Sequence, residues 1–178
     1  MLQHIKDKEF RLLLSGEELL LHTKRLARQI SDDYEGKTPL ILPVLNGAFM
    51  FAADLIKHIT IPCEVSFIKL ASYYGMESSG EVEEILGLNK TIQDRHIIVL
   101  EDIIDSGLTM ASVLQSLKVY NPASVELATM LFKPDAFKGT FDIKYIGTTI
   151  PNRFVVGYGL DYEELGRNLP DLYELNHG

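Results

Sequence analysis

At 178 residues the chain is long enough to bury one sizeable core and too short for several. An apolar fraction of 46% with 24% charged residues excludes a chain too polar to fold, and a net charge of −8 speaks against nonspecific nucleic-acid binding, which relies on clustered Lys and Arg. The single cysteine, Cys63, allows neither an intrachain disulfide nor a cysteine metal cluster, which suits a reducing compartment.

The first ten residues lack the apolar core of a signal peptide. The nearest approach to a membrane span, residues 39–56, is interrupted by Pro43, Asn46, Gly47 and Asp54, so a cytoplasmic protein without a membrane segment is expected. Residues 10–14 predict a short strand or an arm packed on the core. Ser15-Gly16-Glu17-Glu18 has the capping-box pattern, with Ser15 as N-cap and Glu18 at N3; Leu19, Leu20, Thr23, Leu26, Ala27 and Ile30 mark the apolar face of the helix that follows, and Gly36 ends it. Residues 40–45 predict a buried strand, and Asn46-Gly47 a tight turn into a helix carrying Phe49, Ala52, Ala53 and Ile56. Residues 65–74 predict a strand. The stretch 72–87 predicts a hairpin projecting from the sheet, because Glu77, Glu81, Glu83 and Glu84 would be costly in a core; a loop of this length is also a candidate lid.

The chain is organised around residues 96–110. Ile97, Ile98, Val99 and Leu100 form a short apolar run rich in β-branched residues, as expected of a central parallel strand buried on both faces. Glu101 and Asp102 then fall at its carboxyl end, where open α/β sheets place their ligands. Asp105, Ser106, Gly107, Leu108 and Thr109 follow, before a segment over 110–120 whose apolar residues Met110, Val113, Leu114 and Leu117 have the spacing of one helix face. A Ser/Gly/Thr turn opening a helix offers unpaired amides, two hydroxyls and the positive end of the helix dipole, all suited to a phosphate. Acids just ahead of such a cradle call for something cationic or hydroxyl-bearing between, and a ribose with a divalent metal meets both conditions. On spacing alone, solvated loop acids and a helix N-cap remain the competing reading.

Further on, Asn121-Pro122 breaks the helix, residues 125–131 predict a strand with Lys133-Pro134 directly after it, and 142–149 predict another. A turn over 150–154 leads into 155–162, then Arg167-Asn168-Leu169-Pro170, and 172–175 predict a last edge strand. Strands alternating with helices indicate one domain over 1–178, an open, mainly parallel α/β sheet flanked by helices. The five histidines show no metal spacing, and neither a G-x-S-x-G elbow nor a G-x-x-x-x-G-K-[ST] loop is present, which weakens hydrolase and P-loop readings.

The run Glu101-Asp102-Ile103-Ile104-Asp105-Ser106-Gly107-Leu108-Thr109 resembles the phosphoribosyl-pyrophosphate signature of the type I phosphoribosyltransferases in its hypoxanthine (6-oxopurine) form, and the resemblance extends over most of the chain. It implies a small hood built from the N-terminal arm and about 150–178, a flexible lid hairpin, and transfer of phosphoribosyl from phosphoribosyl pyrophosphate to hypoxanthine or guanine with Mg²⁺. It assigns Asp105 as general base, Glu101 and Asp102 to the ribose and the metal, and Ser106, Gly107, Leu108 and Thr109 to the 5′-phosphate, with Ser106 where threonine is usual. Asn46 and Gly47 match the pyrophosphate loop, where relatives commonly carry lysine in place of Asn46, and Arg167 matches a pyrophosphate arginine. Ser72 and Tyr73 match the lid; Lys133, Phe154 and Val155 match the purine contacts; Asp161 matches an acid serving both purine and metal. Taken without the resemblance, Asn46-Gly47 could be a plain turn, Lys133 a solvated lysine, Tyr73 and Phe154 packing aromatics, and Asp161 with Arg167 an exposed ion pair. The resemblance further implies a homodimer or homotetramer. A non-catalytic nucleotide-sensing regulator of the same fold is the alternative, although the acidic chain lacks the basic surface it would need.

Overall fold

The computed structural model describes residues 2–71, 84–86 and 91–176. In chain order the elements are a hairpin of β1 (Leu2–Ile5) and β2 (Lys8–Leu14), then α1 (Gly16–Asp33), β3 (Leu40–Leu45), α2 (Phe49–His58), β4 (Glu64–Val65), β5 (Ile68–Ala71), β6 (Glu84–Leu86), β7 (His96–Ile104), α3 (Leu108–Lys118), β8 (Ser124–Phe132), β9 (Tyr145–Thr149), β10 (Val155–Val156) and β11 (Leu172–Leu175). The main sheet has the order β6-β5-β3-β7-β8-β9, with β4 also paired to β3. Every pairing in it is parallel except β5 with β6.

The apolar run of β7 is buried on both faces. Ile98 and Leu100 pack with α1 residues Leu26 and Ile30 and α2 residues Phe51 and Leu55, while Ile97 and Val99 pack with α3 residues Met110, Val113 and Leu117. Strand structure continues past Leu100 to Ile104, so Glu101 and Asp102 lie within the last turns of the ladder rather than after it. The capping box at Ser15 is present, with Ser15 Oγ accepting from Glu18 N–H and the Glu18 carboxylate accepting from Ser15 N–H.

Several segments depart from expectation for physical reasons. Of the expected strand over 65–74, residues 72–74 lie outside the described residues, and the rest is two short pieces in one register, Glu64 and Val65 opposite Leu40 and Ile41, then Ile68 and Lys69 opposite Val44 and Leu45. The gap falls opposite Leu42 and Pro43, and proline has no N–H to give the ladder. In α2 the buried residues are Phe51, Ala52 and Leu55, with Ile56 packed partly buried against the same core; of the face predicted from Phe49, Ala52, Ala53 and Ile56, Phe49, at 41% exposed, and Ala53 turn outward, so the apolar stripe is rotated toward Phe51 and Leu55. Residues 155–162, for which the sequence predicts no element, begin as strand β10 and leave it after Val156, because Gly157, Tyr158 and Gly159 all take positive φ. Both chain ends meet in a separate sheet of order β1-β2-β11-β10, which makes β11 an interior strand rather than an edge, and adds a first strand that residues 2–5 did not announce. Of the expected lid hairpin, Glu84–Leu86 pairs antiparallel with β5, while Ser72 and Tyr73 lie outside the described residues. Among the described residues no helix is long and apolar enough to cross a membrane.

Candidate active site

From β3 the chain steps outward to β5 on one side; from β7, which flanks β3 on the other, it steps outward to β8. Strand order therefore reverses between β3 and β7, and open α/β sheets take ligands in the crevice beyond such a reversal. The segments leaving these two strands are residues 46–48 and 105–107, which carry the glycine turn and the phosphate-cradle pattern.

The two segments come very close. A Cβ built on Gly47 would fall 1.7 Å from Asp102 Oδ2, so only glycine lets the β3 turn lie against the acid. The Leu45–Asn46 peptide bond is cis, and the Asn46 carbonyl accepts from Phe49 N–H at 3.3 Å at the entry to α2. Burial pushes the Glu101 carboxyl well above the ordinary glutamate range, and the neighbouring Asp102 charge pushes it further. Burial raises Asp102 as well, against the opposing effects of Glu101, a bond from Ile103 N–H at 2.8 Å, and the nearby Arg167. Glu101 Oε2 is buried and has no hydrogen-bond partner among the described residues. Adjacent like charges in a dry site resist joint ionisation, so the pair is suited to receive hydroxyl donors or a cation. Among the described residues no three His, Cys, Asp or Glu side chains group closely enough to hold a metal alone. Two hard carboxylates with an orphaned oxygen nevertheless fit a divalent cation whose other ligands are water and substrate oxygens.

The cradle itself opens α3. Gly107, at φ +80°, is its N-cap, and the first intrahelical bond runs from Ala111 N–H to the Gly107 carbonyl at 3.0 Å. Of the amides before it, Leu108 N–H donates to Ser106 Oγ at 3.4 Å. The segment after β8 supports this turn: Lys138 N–H donates to the Ser106 carbonyl at 3.0 Å, and the Phe137 ring, edge-on to Phe132 and Phe141, packs against Gly107. Lys133, only 6% exposed, directs Nζ to Asp105 Oδ2 at 2.9 Å, and its N–H donates to the Ile104 carbonyl at 3.0 Å. A cationic donor and a carboxylate acceptor therefore stand side by side, with Asp105 half-exposed.

The turn after β10 closes the other wall. Gly159 lies against the Gly47 carbonyl, where a Cβ would come within 2.1 Å, and its own carbonyl accepts from Arg167 Nη1 at 2.9 Å. Arg167 Nη2 meets Asp161 Oδ1 at 2.6 Å, and Asp161 Oδ2 accepts from Glu164 N–H at 2.8 Å. Asp161 and Arg167 are thus an ion pair, but a largely buried one, each about a quarter exposed. Phe154 is not a core residue: it is 47% exposed, tilted against buried Phe10 at 6.2 Å and edge-on to Tyr162 at 5.9 Å. Val155 beside it is buried in the main core.

A family model of the phosphoribosyl transferase domain matches residues 12–163. The chain belongs to the phosphoribosyltransferase family. It is 44% identical over 172 residues to the hypoxanthine-guanine phosphoribosyltransferase of Lactococcus lactis subsp. lactis (strain IL1403), covering 96% of this chain and 93% of that protein. It is 41% identical over 160 residues to the hypoxanthine-guanine phosphoribosyltransferase of Staphylococcus aureus (strain Mu50), covering 89% of each. A crystal structure of a hypoxanthine-guanine phosphoribosyltransferase from Bacillus anthracis superposes with a TM-score of 0.85 at 38% identity, covering 93% of this chain and 96% of that one.

Two contacts of this phosphoribosyltransferase have little signature in its sequence. Tyr158 OH donates to Asp54 Oδ2 at 2.8 Å across 104 residues, tying the Gly157–Gly159 turn to α2. Gly159 serves by its carbonyl and its missing Cβ, and only the pattern Gly157-Tyr158-Gly159 hints that the backbone is special there.

Proposed function

We propose that the chain transfers the 5-phosphoribosyl group from phosphoribosyl pyrophosphate to a 6-oxopurine, hypoxanthine or guanine, giving IMP or GMP and pyrophosphate in purine salvage. The observation that carries this reading is the Asp105–Lys133 pair. An acceptor and a donor 2.9 Å apart complement the N7–H and 6-oxygen that a free 6-oxopurine presents on one edge. A 6-aminopurine would set its amino donor against the Lys133 ammonium, which a site of this kind rejects strongly.

The remaining roles follow the polarity of the crevice. The turn 106–109 would hold the 5′-phosphate on open amides, the Ser106 and Thr109 hydroxyls and the α3 N-terminus. Glu101 and Asp102 would accept from the ribose hydroxyls, which answers the orphaned Glu101 oxygen. Asn46, the Gly47 amide and Arg167 would hold the diphosphate, whose paired oxygens suit a guanidinium fork. Phe154 would stack on the base while the Val155 backbone reads its edge. The Glu101–Asp102 pair on one side and Asp161 on the other would each offer carboxylate oxygens to Mg²⁺ whose remaining ligands are water and substrate oxygens, and the metal would supply positive charge for the departing diphosphate. Asp105 takes the N7 proton as the bond from N9 to C1′ forms and the bond from C1′ to the diphosphate oxygen breaks, its electron pair leaving with the diphosphate. No covalent intermediate is needed, so positioning and charge stabilisation carry the rate. Ser72 and Tyr73 as a lid, and the four-stranded sheet as a hood, would keep water from C1′.

We further place the enzyme in the cytoplasm, where a lone thiol at Cys63 stays reduced, as a homodimer or homotetramer to be read by sedimentation. The non-catalytic regulator finds no support among relatives named as enzymes. A spectrophotometric assay with phosphoribosyl pyrophosphate, Mg²⁺ and hypoxanthine, guanine, xanthine, adenine or uracil tests the reading. Turnover of hypoxanthine or guanine with none of adenine or uracil is expected; turnover of none would overturn it.

A further inference from the structure

β10 is two residues long and lies at the edge of its sheet, so its ladder to β11 is short. Phe154 stands just before it, held to β11 by a single bond from Leu175 N–H to its carbonyl at 2.9 Å. A half-exposed ring on so little backbone would not keep one plane by the ladder alone. Phe10 and Tyr162 brace it on one face of the sheet. On the other side of the strand pair an ionic clamp does the same for the backbone. Glu174 in β11, opposite Val155 of β10 and Arg11 of β2, is 4% exposed. Its Oε1 accepts from Arg11 Nε at 2.7 Å and from Arg153 Nη1 at 2.8 Å, so the residue after Phe10 and the residue before Phe154 are bound to one atom. Glu174 Oε2 is buried without a hydrogen-bond partner among the described residues. A buried carboxylate with an orphaned oxygen is costly, and well-packed apolar groups often serve stability as well, so stability alone gives little reason to place a carboxylate here.

We infer that Glu174 is a positioning residue for base binding: by holding Arg11 and Arg153 on one oxygen it fixes residues 153–155, and with them the plane in which Phe154 meets the purine. This rests on the reading above that Phe154 stacks on the base. The clamp touches neither the phosphate turn nor Gly47, so its loss falls on one substrate alone.

Arg153 is 42% exposed in its side chain, so its truncation leaves the core in place. Steady-state kinetics of the full chain with each substrate varied in turn test the idea, with unfolding midpoints measured alongside. Arg153→Met is expected to raise KM for hypoxanthine about tenfold while KM for phosphoribosyl pyrophosphate and kcat stay within about twofold. Arg153→Lys should recover most of the loss, and Glu174→Gln, which keeps an acceptor but not the charge, should fall between. Equal changes in both KM values, or none in either, in a wild-type background that turns over hypoxanthine, would overturn the role of the clamp. A wild type inactive with every base would instead overturn the function, and the clamp's role with it.

Discussion

Two sets of acids line the crevice, and they are balanced differently. Asp105 and Asp161 each touch a cation, Lys133 at 2.9 Å and Arg167 at 2.6 Å. Glu101 and Asp102 have chiefly each other, with an orphaned Oε2 and the field of Arg167 as a partial offset. A paired acid keeps its arrangement without a ligand, whereas an unpaired buried one is satisfied only when something arrives. The contrast separates what the protein preforms from what the substrates complete. On the proposed function the edge that reads the base is made by protein groups alone, and the part that holds the sugar and diphosphate is finished by ribose hydroxyls and a cation.

The largest effect should come from breaking the preformed half. Asp105→Asn keeps the shape and removes the proton acceptor, and kcat with hypoxanthine is expected to fall by roughly 10² to 10⁴ with little change in either KM. An unchanged kcat would take the general base away from Asp105. Next in size is a steric test of the other half. Gly47→Ala would place a methyl 1.7 Å from Asp102 Oδ2, so either the turn or the acid must move. A loss of about 10- to 100-fold in kcat/KM for phosphoribosyl pyrophosphate is expected, with the base KM little affected. Kinetics like the wild type would show that the close approach of turn and acid has no part in catalysis.

The paired and unpaired sets also differ in how visible they are in sequence. Local signals read directly: the Ser15–Glu18 box and the bounds of β3 need only neighbouring residues, and the β-branched run of β7 announces burial on two faces. Glu101 and Asp102 are adjacent, so their conflict is visible at once. The pairing of Asp105 with Lys133 joins residues 28 apart, and that of Tyr158 with Asp54 joins residues 104 apart, so both depend on strand order, which periodicity does not encode. The split between β4 and β5 was written in Pro43, one strand away from where it acts. The early stop of β10 was written in Gly157 and Gly159, whose positive φ is available to glycine in any setting and becomes informative only once Gly159 is seen against Gly47.

The unpaired set leaves a mark on stability. Unfolded, Glu101 titrates near the ordinary value of 4.5; folded, burial and Asp102 hold its proton to higher pH. Between those two values the folded chain binds more protons than the unfolded one, so stability falls as pH rises through the window and stays lower above it. Glu101→Gln removes this titration, and its Tm should fall less than that of the wild type as pH rises from about 4 to 8. Calorimetry showing parallel slopes would assign the cost to other groups. The same variant should lose activity, since its amide carries no charge to attract a cation and replaces one acceptor oxygen with an NH₂ donor.

The smallest effect concerns Asn46, which borders the unpaired set and carries no charge of its own. Its carbonyl is used in the turn to Phe49 N–H, and its side chain is exposed, so replacement by lysine asks little of the fold. A cation there would stand beside the Gly47 turn, which itself lies against Asp102, and would serve diphosphate oxygens by attraction alone, at a solvent-exposed position where such an interaction is weak. Asn46→Lys is therefore expected to tighten pyrophosphate binding by only about two- to fivefold in calorimetric titration, and less at high salt. The acidic pair beside it sets the sign of the companion measurement. Before any anion binds, a nearby ammonium favours the ionised form of Asp102, so the upward shift of that carboxyl should shrink and the pH dependence of Tm should flatten in the same direction as in Glu101→Gln. Tighter pyrophosphate binding without that flattening would place the new charge over the diphosphate and away from the acids. Flattening without tighter binding would place it on the acids instead, and would separate the β3 turn from the diphosphate site.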